Sequence, residues 1–319
     1  MLLLPCLHCS GKWGYINTIG RWQIDPIYDH ASPYVKAGVA SATFDNNSSW
    51  AMIDLSGRSL FAPRHYEGLI VTEDGRAIVA ETDGSVVIDR FGMEIWRPDC
   101  EDISAAGSGL FVEWFDSWSR CRLVKIGGGP VIDKDFREMS VYAERKVVLV
   151  REDAGYTLMD FESKVLRLYS RAYDHLDSFD EMGRAVFSSH GMCGVISETE
   201  AVLLPPIFRI VDFCLGRNKT VVVCRNKEDG LFNIYDATDG DFVGEGFECV
   251  ARSPDENFFW GFKDSWSLYR IDGSCVAHDV CMEIKELAGG MYQGLIDGDG
   301  RMFYGFLGPK GFEIVKCHD

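Results

Sequence analysis

The chain has 319 residues, of which 46% are apolar, 25% charged and 13% aromatic, with 33 Gly and 10 Pro. This is a globular composition, and it excludes a disordered, collagenous or membrane-spanning chain. The 49 Asp and Glu against 32 Lys and Arg give a net charge of -17; no nucleic acid and no anionic membrane surface is expected as a partner, because phosphate binding needs a basic footprint.

From the N-terminus, the run Met1-Leu2-Leu3-Leu4-Pro5-Cys6-Leu7-His8-Cys9 lacks both a basic region and an apolar core of signal-peptide length, so no export is expected. Next comes Lys12-Trp13-Gly14-Tyr15-Ile16-Asn17-Thr18-Ile19-Gly20-Arg21-Trp22-Gln23-Ile24-Asp25-Pro26, followed by Tyr28-Asp29. Related strings begin at Trp50 (Trp50-Ala51-Met52-Ile53-Asp54, then Gly57 and Pro63) and at Val86 (Val86-Val87-Ile88-Asp89, then Gly92 and Pro98). Weaker copies are anchored at Leu123, Met159, Ile196, Ile234 and Tyr269. The last copy, Tyr304-Gly305-Phe306-Leu307-Gly308-Pro309, aligns with Trp13 onward without a gap. The anchors Ile16, Ile53, Ile88, Leu123, Met159, Ile196, Ile234, Tyr269 and Leu307 are 35–38 residues apart. A sustained period of this length marks a repeat architecture, so residues 1–319 are expected to form a single repeat domain of about nine copies.

Each copy opens with a β-rich run, such as residues 38–44, 76–80, 147–150 or 220–224. A polar turn, the anchor strand, a second turn and a third strand ending at a proline follow. Gly20, Gly57, Gly92, Gly240 and Gly273 sit where that second turn needs a positive φ. The opening runs are apolar on successive residues, so both faces must be covered. This pattern predicts an all-β fold of three to four short antiparallel strands per copy. A β-propeller of about eight to nine blades, with those runs as innermost strands, is the first expectation, and an open β-solenoid of the same repeats is the alternative.

The string Lys-Trp-Gly-Tyr-Ile-Asn-x-x-Gly-Arg, with Ile-Asp-Pro and Tyr-Asp after it, resembles the WG-repeat (KWG) family of bacterial tandem β repeats. Trp13-Gly14 carries the motif itself; Trp50-Ala51, Cys193-Gly194 and Tyr304-Gly305 are variants, and Trp260-Gly261 is out of phase. The resemblance implies interaction modules rather than catalysis. The Trp and Gly are read as structural, an aromatic plug against the next repeat and a site of close strand approach.

No catalytic or cofactor chemistry is expected. Cys6-Leu7-His8-Cys9 is a single C-x-x-C without the second pair a zinc site needs. His30, His65 and His175 fall near the ends of repeat units beside tyrosines, which suits structural contacts. Asp297-Gly298-Asp299-Gly300 lacks the later ligands of a calcium loop, and Gly127-Gly128-Gly129-Pro130 has no Gly-Lys-Ser/Thr behind it. Eleven cysteines in a chain of this length suit free thiols in a reducing cytoplasm.

Residues 1–60 carry four acids and four bases, so the negative excess lies in residues 61–319. Opposite charge steers association. The expected function is therefore a non-enzymatic, cytoplasmic, bacterial protein-binding scaffold, and more narrowly an immunity or antitoxin-type inhibitor of a basic effector toxin. The partner-facing acids are expected in turns: Glu73, Asp74, Asp180, Glu181, Glu228, Asp229, Asp255 and Glu256. Trp114 and Trp118 are the expected aromatic anchors. The alternatives are a carbohydrate or small-ligand-binding propeller, a scaffold within a larger assembly, and an enzyme with a channel site.

Overall fold

A computed structural model describes residues 3–8, 10–17, 20–153, 155–169, 173–217, 219–225, 229–253, 255–286, 291–295, 302–308 and 311–315. Among them are nine antiparallel sheets of three or four strands, each formed by strands consecutive in the chain, and one short 3-10 turn, Ala143–Arg145. The chain divides into two compact units, Met1–Tyr169 and Ser170–Asp319. The first holds sheets 1 to 5 and the second sheets 6 to 9. A complete sheet has four strands, here lettered A to D in chain order. Sheet 3 is the pattern: Gly68–Val71, Ala77–Glu81, Gly84–Ile88 and Glu94–Trp96. Every anchor of the period falls in strand C of its own sheet, from Ile16 in Trp13–Ile16 to Leu307 in Met302–Gly308.

The apolar opening runs are not innermost edge strands. Val147–Glu152 and Val221–Arg225 are strands B, second in their sheets and paired on both sides. Strand A precedes them and is less buried, as in Gly68–Val71 or Asp102–Gly107. Successive apolar residues follow from alternation across the sheet, because each parity faces a different neighbouring sheet. Val39 and Met52 of sheet 2 pack with Leu69, Val79 and Val86 of sheet 3. Ala40 and Ile53 face the other way, onto Tyr15, Ile24 and Tyr28 of sheet 1. In the second unit Val222 and Cys224 join sheet 6, while Val221 and Val223 join Phe259 of sheet 8. Each core therefore lies between sheets. The fully covered valines of such a run contribute about 1.5–3 kcal/mol each.

The turns between strands C and D share one device. The Asp54 carboxylate accepts the backbone N–H of Ser56 (2.8 Å) and Arg58 (3.1 Å), and Asp89 and Asp160 repeat the pattern. The third residue after the acceptor adopts positive φ, which explains the glycines at 20, 57 and 92; the glycines at 240 and 273 also have positive φ. Gly57 must also be small, since a Cβ there would lie 2.7 Å from Ile24 and 2.9 Å from the Tyr28 hydroxyl. That hydroxyl donates to the Gly57 carbonyl at 2.6 Å and ties sheet 1 to the sheet 2 turn. Burial pushes the Asp54 carboxyl up, but the Ser56 hydroxyl and the two backbone N–H groups outweigh it and hold it below the usual range. This contribution is present above the ordinary carboxylate pKa and is lost as pH falls through the lowered one.

Ser163 occupies the glycine position of the Asp160 turn at φ 66°. A left-handed L-residue costs about 1–2 kcal/mol, partly offset by the chain entropy of glycine. Ser163→Gly should therefore raise stability by about 0.5–1 kcal/mol, read as a higher urea midpoint with an unchanged slope. A lower midpoint would show that the turn gains nothing from glycine.

Prolines were expected to end the third strand. Pro26, Pro205 and Pro206 instead lie inside strands D, Trp22–Tyr28 and Val202–Phe208. These are sheet edges, where a missing N–H removes no ladder bond.

Candidate interaction surface

Antiparallel order fixes two ends for every sheet. The A–B and C–D turns lie at one end, and the B–C turn and the link to the next sheet at the other. The expected partner-facing residues fall at both. Glu73 and Asp74 are in the A–B turn of sheet 3, Asp180 and Glu181 in that of sheet 6, and Asp255 and Glu256 in that of sheet 8. Trp114, Trp118 and Asp229 are at the B–C ends of sheets 4 and 7. Glu228 lies outside the described residues.

Several of these acids are engaged within the fold. Asp180 accepts the N–H of Met182 and Arg184 (both 2.9 Å) and pairs with the Arg184 guanidinium. Asp74 holds Arg76 and the Thr72 hydroxyl. Asp229 accepts the Leu231 N–H, and Asp255 that of Asn257. Glu256 lies 3.8 Å from buried Arg184. Glu181 is exposed beside these capping residues, and Glu73, also exposed, accepts the Lys36 N–H at 3.4 Å.

Trp118 is 56% exposed and rests on partly buried Trp114, ring centroids 5.0 Å apart and tilted 31°. The Trp114 indole N–H donates to Ser104 Oγ at 3.1 Å, which fixes the lower ring. Asp116, Ser117 and Trp118 all have positive φ, 53°, 54° and 68°, and the Ser117 N–H is held by Glu101 at 2.6 Å. Sheet 2 has the same loop in Asp45, Asn46 and Asn47, where Asp29 accepts the Asn46 N–H at 2.8 Å. There the third position is Asn, which tolerates left-handed backbone, and its side chain also bonds the Thr43 hydroxyl at 2.6 Å. A bulky Trp at this position is a conformational outlier.

Beside Trp118 a groove of about 540 Å³ is lined by Asp116, Arg120, Lys134, Asp135, Arg151 and Glu152, among others. Its cations are paired: Arg120 with Asp116 (2.8 Å) and Asp135 (2.6 Å), Arg151 with Glu138 (2.8 Å), and Lys134 with Glu152. The Phe115 ring lies under the Arg120 and Arg122 guanidiniums, 4.7 and 5.3 Å away. Asp116 and Ser119, on either side of Ser117 and Trp118, line this groove of ion pairs.

The second unit holds a larger cleft, of about 720 Å³, between strand D of sheet 6 and sheet 7, whose rim includes Ile207, Phe208 and Phe242. The sequence reading missed it, although the acid-rich stretch over residues 239–248 was visible. Burial pushes the Cys224 thiol at its floor up to about 12, so it is unreactive. Among the described residues no group of three His, Cys, Asp or Glu is placed to hold a metal ion. His30 packs on Trp13, His65 bonds the Ser48 carbonyl and His175 meets Asp177, so all three make local contacts. The Asp297–Gly300 segment (residues 297–300) lies outside the described residues.

Residues 13–47 match the family described as WG containing repeat. No curated protein matches the chain. Among solved structures, a eukaryotic initiation factor is 10% identical, with 93% of this chain and 96% of that chain covered and a TM-score of 0.50. Hsv2 of Kluyveromyces lactis (11% identity, 78% and 98% covered, TM-score 0.43) and AztD of Citrobacter koseri (11%, 84% and 92%, 0.43) are also similar. At these identities the likeness concerns the fold alone, an all-β fold of the propeller class.

Proposed function

We propose that this chain is a non-enzymatic scaffold of sheet repeats that binds a basic protein. More narrowly, we propose a cytoplasmic bacterial immunity or antitoxin-type inhibitor of an effector toxin. The observation that carries the reading is Trp118, exposed and held in left-handed backbone, in a loop whose Asp116 and Ser119 line a groove of paired carboxylates and cations. Its indole face suits a lysine or arginine of a partner through a cation–π contact. The net charge of -17 supports the sign of that partner. The nine described cysteines are free thiols, which suits a reducing compartment.

The test is co-purification of the chain with the product of the adjacent gene, and rescue of cells expressing that product. Trp118→Ala should weaken the complex at least tenfold, about 1.4 kcal/mol, while leaving stability within 0.5 kcal/mol. Charge reversal at Glu73 and Glu181 should slow association and flatten its salt dependence. Capture of no basic protein and absence of rescue would reject the inhibitor role. A thermal shift with oligosaccharide that Trp118→Ala abolishes would favour a carbohydrate platform instead, since a planar indole pair also suits a sugar ring.

A further inference from the structure

We infer that the cleft between strand D of sheet 6 and sheet 7 binds a free α-amino acid with an aromatic side chain, its carboxylate at Arg209 and Arg225, its ammonium at Glu245 and its ring on Phe242. The inference goes beyond protein binding and rests on groups that the fold itself leaves unused.

The cleft lies within the second unit, and its volume of about 720 Å³ falls in the usual range for small-ligand sites, about 300–1,000 Å³. One wall is apolar. Ile207 and Phe242 are 49% and 46% exposed, and Phe242 packs edge-on against Tyr235 and Phe208, with centroids 5.2 and 6.2 Å away. These two neighbours hold the Phe242 ring in place, so its exposed surface is a fixed platform for a ligand ring in offset or edge-on contact.

The charged groups of the cleft have both signs. Arg209 and Glu245 line it and are exposed, yet among the described residues neither side chain makes an ion pair or hydrogen bond, with the other or with any further group. Arg225 adds a second guanidinium. Its Nη2 donates to Asp212 at 2.9 Å and it lies over Phe232, but its buried Nε has no partner, an exception among buried donors. A carboxylate matches a guanidinium fork in shape and charge, and an ammonium matches Glu245. An α-amino acid carries both charges on one carbon, next to the apolar group that the third wall accepts. The backbone places Glu245 for this role. Strand D, Asp241–Phe247, slips twice against strand C, so Glu245 and Gly246 stand opposite Asn233 alone. The Asn233 carboxamide oxygen accepts the Gly246 N–H at 2.9 Å, and Gly246 is at φ 72°. In a regular strand residues 242 and 245 would face opposite sides; a bulge re-aims side chains, and here both line one cleft.

The test is titration calorimetry of the full chain with L-phenylalanine, L-tyrosine and L-tryptophan, and with the N-acetyl and amide derivatives of each, at physiological salt, which screens the overall charge. At least one of the three amino acids should bind saturably at one site per chain and perturb the amide resonances of residues 207–209 and 242–246. Its N-acetyl derivative, without the ammonium, and its amide, without the carboxylate, should each bind about tenfold more weakly or worse, because a charged group of the site loses its partner. Glu245→Gln should erase the difference between the amino acid and the N-acetyl derivative, and Arg209→Gln the difference between the amino acid and the amide, with thermal melts unchanged because both side chains are exposed. A purely structural role would weaken all ligands alike. No saturable binding of any of the three, derivatives that bind as well as the parent, resonances perturbed elsewhere, or variants that keep the discrimination would overturn the proposal.

Discussion

Replacing Arg184 by alanine should destabilise the protein by about 3–5 kcal/mol, the range for removing one partner of a buried ion pair. The side chain is 6% exposed and joins three turns of the second unit. On its own sheet the guanidinium binds Asp180 Oδ2 at 2.9 Å. Its Nη1 donates to the carbonyls of Leu215 (2.8 Å), Gly216 (2.6 Å) and Lys219 (3.3 Å) in the A–B turn of sheet 7. That turn is bonded in its own right to sheet 8, through the Gly216 N–H and the Glu256 carbonyl at 3.0 Å. Alanine would leave a carboxylate and buried carbonyls without a donor, and each such loss costs about 1–3 kcal/mol. Arg184→Lys should rescue little, because one ammonium cannot serve Asp180 and the facing carbonyls together. Urea unfolding of both variants decides it. A loss under 1 kcal/mol for alanine, or full stability for lysine, would mean that the turns hold without the clamp.

The period was legible because strand C has the same position in every sheet. Ile16, Ile53, Ile88, Leu123 and Ile234 are each buried between neighbours, and burial on both faces leaves an apolar mark that turns of varied length do not erase. Strand A was misplaced because its signal is weak. His175–Leu176 is two residues long, and Asp102–Gly107 has a single buried position, so the apolar run after it read as the start of the unit. The site was less legible, since an acid in a turn has the same letters whether it meets a partner or caps the backbone. A glycine three residues on was the available sign. In Asp180-Glu181-Met182-Gly183 it marks a capping carboxylate, and the neighbouring Glu181 is the outward one. The cleft by Phe242 depends on two strands D about 35 residues apart lying side by side, which no local pattern encodes.

The glycine of the Trp-Gly pair supplies the second large effect. Strand D bulges opposite Gly14, where the register shifts between Trp13↔Tyr28 and Tyr15↔Ile24, and a Cβ on Gly14 would sit 2.5 Å from the Ile24 carbonyl oxygen and 2.8 Å from Asp25. Gly194 faces the same bulge, with a Cβ 2.5 Å from the Leu204 oxygen and 2.9 Å from the Pro206 nitrogen. Twelve residues after each glycine stands a proline, Pro26 or Pro206, which has no N–H to satisfy. Sheet 8 meets its bulge with a different backbone, since Asp279 is at φ 48° where proline has φ near −65°. Trp266-Ser267 takes the place of Trp13-Gly14, and the Ser267 hydroxyl oxygen accepts the N–H of Asp279, again twelve residues on, at 3.0 Å. In sheet 2 Ala51 is tolerated because its last strand is reduced to bridges at Ser59 and Arg64. The clash at Gly14 is with backbone, which cannot rotate away, so Gly14→Ala should cost about 2–4 kcal/mol, at or above the usual overpacking penalty. Ala51→Gly should cost no more than about 1 kcal/mol. Ser267→Gly should cost about 1–3 kcal/mol by leaving the Asp279 N–H without its acceptor; because Asp279 is at φ 48°, which proline cannot adopt, Asp279→Pro added to it should deepen the loss. Equal costs at Gly14 and Ala51 would show that the Trp-Gly pair is not set by the bulge above it.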